Sequence, residues 1–314
     1  ASRGVGSTGD EGRGVIGRLL VVGTGLMGGS VAAAVRSRGQ AQEVWGVDPH
    51  HALQAQDLGL IDRGFLTLAD ALAACQAQPV AEPSGSAVVL AAPVSLLAAM
   101  LPVLAEHHRH QPWAWVTEIG STKQAVIEAM RPEATQSSSA PGFAEVFVPS
   151  HPMAGAERHG PQAASANLFE QARVLISPLE NASQAAVGQV EAFWAGLGGI
   201  PSRLAIKDHD PLLADISHFP HLVAYGLAAL LAARPSAVAA QTLYGGGLRD
   251  TTRIAASSAD LWADILLQNR QAILGLMPQW NAVMQQLAQA LMTGDRAALT
   301  QLLERAATWR RGFQ

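Results

Sequence analysis

The side chains best suited to acid/base work and anion binding fall in four short strings. These are FVPSHPMAGAERHG (147–160), WAWVTEIGSTK (113–123), DISHFPHLVAYG (215–226) and GGGLRDTTRIAASSADLW (245–262). His151 follows an apolar run and precedes a proline, where a neutral imidazole can take up a proton near neutral pH or simply satisfy turn backbone. Ser121 stands at a strand-to-helix turn. Arg249, Asp250 and Arg253 follow a glycine break, where an arginine can grip a carboxylate bidentately or pair with Asp250 on a helix surface. His218 and His221 share one helical side, with Pro220 confined to a first turn or a kink. Metal binding would need a third ligand, and neither HExxH nor a recognisable third-ligand spacing is present, so helix packing is expected and no metal. His107, His108 and His110 fall in a polar connection and are expected to be solvated.

VVGTGLMGGS (21–30) fits GxGxxG with Gly23, Gly25 and Gly28. The first glycine permits a tight turn, the second lets backbone approach a pyrophosphate, and the third lets helix and strand pack closely. The turn residues Leu26 and Met27 open a helix whose positive dipole end would meet the phosphates. EVWGVD ends at Asp48, about 20 residues further on, where a carboxylate accepts both hydrogen bonds of an adenosine ribose diol and repels the extra phosphate of NADP. His50 and His51 follow, and a basic residue there can hold that phosphate. NAD is therefore expected ahead of NADP, which stays possible. Ala92 and Pro93, in AAP, end another strand at the same crevice.

What must position these residues is an alternation of elements. RLLVV, EVWGVD, AVVLAAP, WAWVTEI, EVFVPS and RVLISP read as strands separated by Ala/Leu-rich helices, which implies βαβ units and a mainly parallel sheet, an α/β Rossmann-type domain. Ligands bind beyond the carboxyl ends of such strands, so Ser121 and His151 are expected at the cofactor crevice. EATQSSSAPG (133–142) reads as a surface loop. After PSRLAI the strand signals stop and helices follow to the end. The expected division is a flexible tail over 1–17, a dinucleotide-binding domain over 18–206 and an all-helical domain over 207–314. The face of LWADILLQNRQAILGLM is more apolar than one helix needs, which points to oligomerisation through this half.

Bulk properties narrow the partners. The 314 residues are 49% hydrophobic and 15% charged with a net charge of -4, enough to bury two cores and without the basic footprint of a nucleic-acid binder. Cys75 stands alone, which excludes an intramolecular disulfide and suits a reducing compartment, so the cytoplasm is the expected location. The glycines in Leu19–Val35 argue against a signal peptide, and 222–233 falls short of the roughly 20 residues a membrane helix needs, so no membrane segment is expected.

Taken together and in order, the strings resemble the prephenate/arogenate (cyclohexadienyl) dehydrogenases, the NAD(P)-dependent enzymes of tyrosine synthesis. The resemblance runs from about Arg18 to the C-terminus. GTGLMGGS matches the family's glycine turn followed by Ser, and TEIGSTK matches TDxGSxK with Glu118 for Asp. SHPMAGAE matches GHPxAGTE with Ser150 for Gly and Ala156 for Thr, SHFPH matches SHLPH, and GLRDTTRIA matches GFRDxTRIA with Trp262 following. The resemblance implies a Rossmann domain followed by a helical dimerisation domain, with the active site between them and a homodimer as the assembly. It makes His151 the catalytic histidine that accepts a hydrogen bond from the substrate hydroxyl, oriented with the nicotinamide by Ser121. Arg253 binds a substrate carboxylate, Ser217, His221 and Trp262 line the pocket, Glu157 lies near its entrance, and Asp250 is reached from the neighbouring subunit. Ala156 removes a hydroxyl that usually touches substrate, which leaves fine preference open. No further regulatory or chorismate mutase domain is expected. Two other readings stand beside this one. A related β-hydroxyacid-type dehydrogenase would favour a catalytic lysine in the helical half, where none follows Lys207; a non-catalytic NAD sensor would have no use for Ser121, His151 and Arg253 together.

Overall fold

Ile16–Val22 (β1) carries apolar residues on both faces because both faces are covered, as central parallel strands require. Leu19 and Val21 point into one core with Val31, Val35 and Trp194, while Leu20 and Val22 point into the other with Leu97, Leu101 and Leu104. At about 1.5–3 kcal/mol for each fully buried aliphatic side chain, these two layers dominate the stability of the sheet domain.

The computed structural model describes residues 15–81, 85–130, 142–155 and 159–313, in two compact units that divide after Asp210. In the first unit β1 is followed by α1 (Leu26–Ser37), β2 (Ala41–Val47), α2 (Ala52–Asp57), β3 (Arg63–Phe65), α3 (Leu68–Ala77), β4 (Ser86–Leu90), α4 (Leu97–His110), β5 (Trp113–Glu118), α5 (Gln124–Ala129) and α6 (Phe143–Val146). Then come β6 (Ser150–Pro152), β7 (Arg173–Ile176), α7 (Gln184–Gly196), β8 (Ile200–Arg203) and α8 (Ile206–Leu213), which runs into the second unit. β1 to β5 form a parallel five-stranded sheet in the order β3-β2-β1-β4-β5, so the order reverses between β1 and β4. That reversal opens the crevice where ligands bind in such folds.

The second unit continues with a π-helical turn (Ala214–His218), α9 (Phe219–Ala232), α10 (Ala237–Leu243), α11 (Gly246–Thr252), a 3-10 turn (Arg253–Ala256), α12 (Ala259–Gln268), α13 (Arg270–Thr293) and α14 (Arg296–Arg311). Gly294, at φ +66, ends α13 where a side chain would be strained, and Asp295 caps α14 through the N–H of Ala298. Among the described residues no single helix is long and apolar enough to cross a membrane.

Three expectations change. The first strand begins at Ile16, inside the stretch read as a tail. EVFVPS is not one strand: Phe143–Val146 is helical, Phe147 makes a single parallel bridge to Val116, and His151 is the middle residue of β6, opposite Leu175. β6 pairs antiparallel with β7 in a separate three-stranded sheet, and it stays short because Pro149 before it and Pro152 at its end have no N–H for a ladder. His107 and His108 are not solvated, since α4 extends to His110 and buries both. His107 stacks on Trp113 with ring centroids 4.6 Å apart, and His108 Nδ1 accepts the Trp113 N–H at 3.0 Å. Most of the serine-rich loop expected over 133–142 lies outside the described residues.

Candidate active site

The glycine turn after β1 meets three separate demands. Gly23 has φ +91, and a Cβ there would lie 2.7 Å from the Ala91 carbonyl carbon and 2.8 Å from the Ala92 nitrogen. A Cβ on Gly28 would fall 1.8 Å from the Gly23 oxygen, so α1 can seat on the turn only with glycine there. A Cβ on Gly25 would meet nothing within 4 Å, which leaves backbone open to a ligand, and no side chain caps the start of α1 at Leu26 and Met27. Pro93, exposed, closes the loop after β4. Such a cradle fits a dinucleotide pyrophosphate.

Asp48 closes the adenosine side. Its Oδ2 accepts the Thr24 N–H at 2.9 Å, and Oδ1 accepts the N–H groups of His50 and His51 at 2.9 and 3.0 Å. Burial pushes this carboxyl up, but those backbone bonds outweigh it and hold it below the ordinary value. A fixed, ionised carboxylate suits a ribose diol better than a phosphate. His51 turns its Nδ1 to within 3.4 Å of Asp48 Oδ1.

β5 delivers Glu118 and the turn bearing Ser121. Glu118 Oε1 lies 2.6 Å from the Lys123 Nζ, its Oε2 accepts the Gly120 N–H at 2.7 Å, and the Lys123 ammonium donates to the Gly120 carbonyl at 2.7 Å. Both side chains are fully enclosed. Burial pushes the Glu118 carboxyl up, and the Lys123 ammonium pulls against it. The pair staples the Gly120–Ser121 turn shut, and a Cβ on Gly120 would strike Val94 at 2.2 Å.

Ser150, where the family pattern has Gly, ties β6 to β5. Thr117 Oγ1 donates to the Val148 carbonyl at 2.7 Å, lies 2.8 Å from Ser150 Oγ, and Ser150 Oγ accepts the Trp194 Nε1–H at 3.1 Å. His151 comes next, 8% exposed, with Nδ1 3.0 Å from Nε2 of His209. His209 is fully buried, and its Nδ1 lies 2.8 Å from Asp210 Oδ1. Asp210 also accepts the N–H groups of Lys123 and Gln124 at 2.7 and 2.8 Å, so it caps α5 while holding His209. Burial pushes the Asp210 carboxyl up, and the bonds from His209 and from the Gln124 and Lys123 N–H groups overcome it. Burial pushes the His209 imidazole down, more strongly than Asp210 raises it. Nothing in KDHDP singles out His209 and Asp210, which read as the polar start of a helix. Their only signal is a His-Asp pair within the helix that follows the last strand.

The second unit gathers another set. His221 stacks on Trp262 with ring centroids 3.4 Å apart, and its Nδ1–H donates to the Ser217 carbonyl at 2.9 Å. Burial lowers the His221 imidazole, the Ser217 carbonyl raises it, and the Arg253 charge lowers it again. Arg253 is exposed on the 3-10 turn, which Tyr225 pins by donating to the Ser257 carbonyl at 2.8 Å. His218 does not act with His221: it is buried with Nδ1 accepting from Asn269 at 2.9 Å. Asp250 pairs with Arg249 at 3.0 Å on an exposed surface. Glu157 and Ala156 lie outside the described residues.

Comparison with known proteins converges on one group. The nucleotide-binding domain model of prephenate dehydrogenase matches residues 31–201, and the prephenate dehydrogenase dimerization domain model matches 206–305. The chain is 30% identical over 307 residues to prephenate dehydrogenase of Bacillus subtilis, covering 94% of this chain and 76% of that one. It is 28% identical over 285 residues to cyclohexadienyl dehydrogenase of Zymomonas mobilis, covering 88% and 89%. Among solved structures it is similar to prephenate dehydrogenase of Aquifex aeolicus in complex with hydroxyphenyl propionate and NAD+, with 26% identity, a TM-score of 0.78 and coverage of 94% and 98%. Synechocystis arogenate dehydrogenase is 25% identical with a TM-score of 0.72, covering 94% and 99%.

Proposed function

The chain belongs to the prephenate dehydrogenase family, and from that premise we propose that it oxidatively decarboxylates prephenate, arogenate or both, with NAD preferred over NADP. Bound NAD+ supplies the acceptor for hydride leaving ring C4. Gly23, Gly25 and Gly28 admit its pyrophosphate, Asp48 holds its ribose diol, and Ala92 and Pro93 border the same crevice. Asp48 favours NAD because its carboxylate is buried and already ordered.

His151 takes the proton of the C4 hydroxyl, and Ser121 helps orient His151 and the nicotinamide. The ketone-like ring then loses CO2 and becomes aromatic, giving 4-hydroxyphenylpyruvate from prephenate or tyrosine from arogenate. Arg253 holds the side-chain carboxylate rather than the ring carboxylate, because a cation tight against the departing group would stabilise it in place. Ser217, His221 and Trp262 line the ring pocket, and the helical unit forms a homodimer. The observation that carries this reading is the setting of His151: buried, in a continuous hydrogen-bonded chain to an ionised carboxylate, and on the same unit as the glycine cradle. That setting suits a proton acceptor whose cation must be stabilised.

The test is formation of reduced cofactor with prephenate and with arogenate, each against NAD and NADP. Turnover is expected with NAD for at least one substrate; silence in all four pairings, with NAD binding intact, would sink the proposal. Arg253→Ala is expected to lower kcat/KM about 10- to 100-fold, mainly by raising the KM, as loss of a charge-assisted hydrogen bond predicts.

A further inference from the structure

His209 and Asp210 have no role in that reading, yet both are buried and they bond to each other behind His151. Asp210 sits at the end of a chain that reaches His151 in two steps of 2.8 and 3.0 Å. The direction of every hydrogen bond along it follows from Asp210. Held below the ordinary carboxyl value, Asp210 is ionised near neutral pH and can only accept. Its Oδ1 therefore receives the Nδ1–H of His209. His209 is fully buried and kept neutral, so its Nε2 carries a lone pair and must accept. The group facing that lone pair is Nδ1 of His151, which therefore carries the hydrogen.

We propose that the Asp210–His209 pair is a tautomer lock: it fixes His151 with its hydrogen on Nδ1 and its lone pair on Nε2, so that Nε2 is the atom that accepts the substrate hydroxyl proton. The inference rests on His151 being the base. When Nε2 takes the proton, the new imidazolium keeps donating from Nδ1 to His209, and the charge is balanced by the Asp210 carboxylate behind it. The proton later leaves from Nε2, and neither His209 nor Asp210 changes protonation. His209 is thus a positioning residue. Asp210 adds a second task, because the same carboxylate caps α5 through the N–H groups of Lys123 and Gln124, directly after the turn that carries Ser121. One carboxylate thereby sets both the orientation of His151 and the position of the Ser121 turn.

The first arm of the test reads the tautomer in the intact wild-type protein, from side-chain nitrogen-15 shifts of His151 and His209. Both should show a protonated Nδ1 and an unprotonated Nε2 near neutral pH; an Nε2-protonated His151 overturns the proposal. The second arm uses His209→Phe, His209→Gln and His151→Asn, each checked for NAD binding. His209→Phe is expected to lower kcat on the order of 10²-fold while the KM for prephenate stays within about threefold, the signature of a mispositioned base. His209→Gln restores an acceptor and should recover most of that loss. A folded His209→Phe with wild-type kcat, or equal impairment of folded Phe and Gln variants, overturns the lock. If either result comes with an inactive His151→Asn, only the lock fails; an active His151→Asn removes the base beneath it. Should His209→Phe not fold, the nitrogen shifts and the Gln variant still decide.

Discussion

In the N-terminal unit Leu19, Leu20, Leu97, Leu101 and Leu104 are at most 1% exposed, whereas in the C-terminal unit Leu230, Leu243, Leu267, Leu274 and Leu291 are 60% exposed or more. The same residue type is sealed in one region and open in the other. The difference lies in layering. A parallel sheet with helices on both faces closes its own two cores, but the helices of the second unit bury few side chains, among them Ala224, Ile265, Ile273 and Ala290. Along α13, Met284, Leu287 and Leu291 follow one another at spacings of three and four, the pattern of a helix seam awaiting a partner. A family model that describes this region as a dimerization domain agrees with that need.

The contrast can be broken along this seam. Met284→Glu combined with Leu291→Glu should convert a dimer to a monomer in analytical ultracentrifugation, because buried unpaired carboxylates cost several kcal/mol. An unchanged dimer would place the interface elsewhere on the helical unit. A smaller but cleaner comparison uses one substitution in two settings. Leu104→Ala should destabilise the sheet unit by about 2–5 kcal/mol, while Leu267→Ala should cost less than about 0.5 kcal/mol in the monomeric background, as urea titration would report.

The smallest effect concerns acid. His107, His108 and His209, all in the first unit, are held by burial below the ordinary imidazole value of 6.5. Their folded values lie below their unfolded ones, so the folded unit binds fewer protons, and the stability they contribute is present above that value and lost as pH falls below it. Asp210 adds loss in the carboxyl range, also on the acid side. Each proton taken up steepens the loss by about 1.4 kcal/mol per pH unit. Hydrogen exchange followed from neutral to mildly acid pH should show first-unit amides losing protection; a flat profile would contradict the burial of these rings.

Much of the sheet domain was legible because its signals are local. A glycine turn, a carboxylate at the next strand end and alternating strands and helices each follow from a few neighbouring residues, and the distances around Gly23, Gly28 and Asp48 supply their physical reasons. The apolar surplus in the helical half was legible for the same reason. His151 was visible as a candidate, but its strand was misread, since nothing local distinguishes a parallel continuation from a short antiparallel rung between two prolines. His209 and Asp210 were invisible because their meaning is tertiary: His209 becomes informative only beside a ring 58 positions away in the chain. The burial of His107 and His108 was missed because the five polar residues of EHHRH outweighed the helix face on which two of them turn inward.

The pH dependence of kcat/KM for prephenate, measured with NAD for the wild-type protein and for His151→Asn, tests the central claim most directly. The account predicts an acid limb in the wild type from protonation of one imidazole. In the variant it predicts turnover reduced about 10²- to 10⁴-fold, NAD affinity unchanged and no acid limb. Wild-type turnover in His151→Asn across the same pH range would contradict the assignment of His151 as the base.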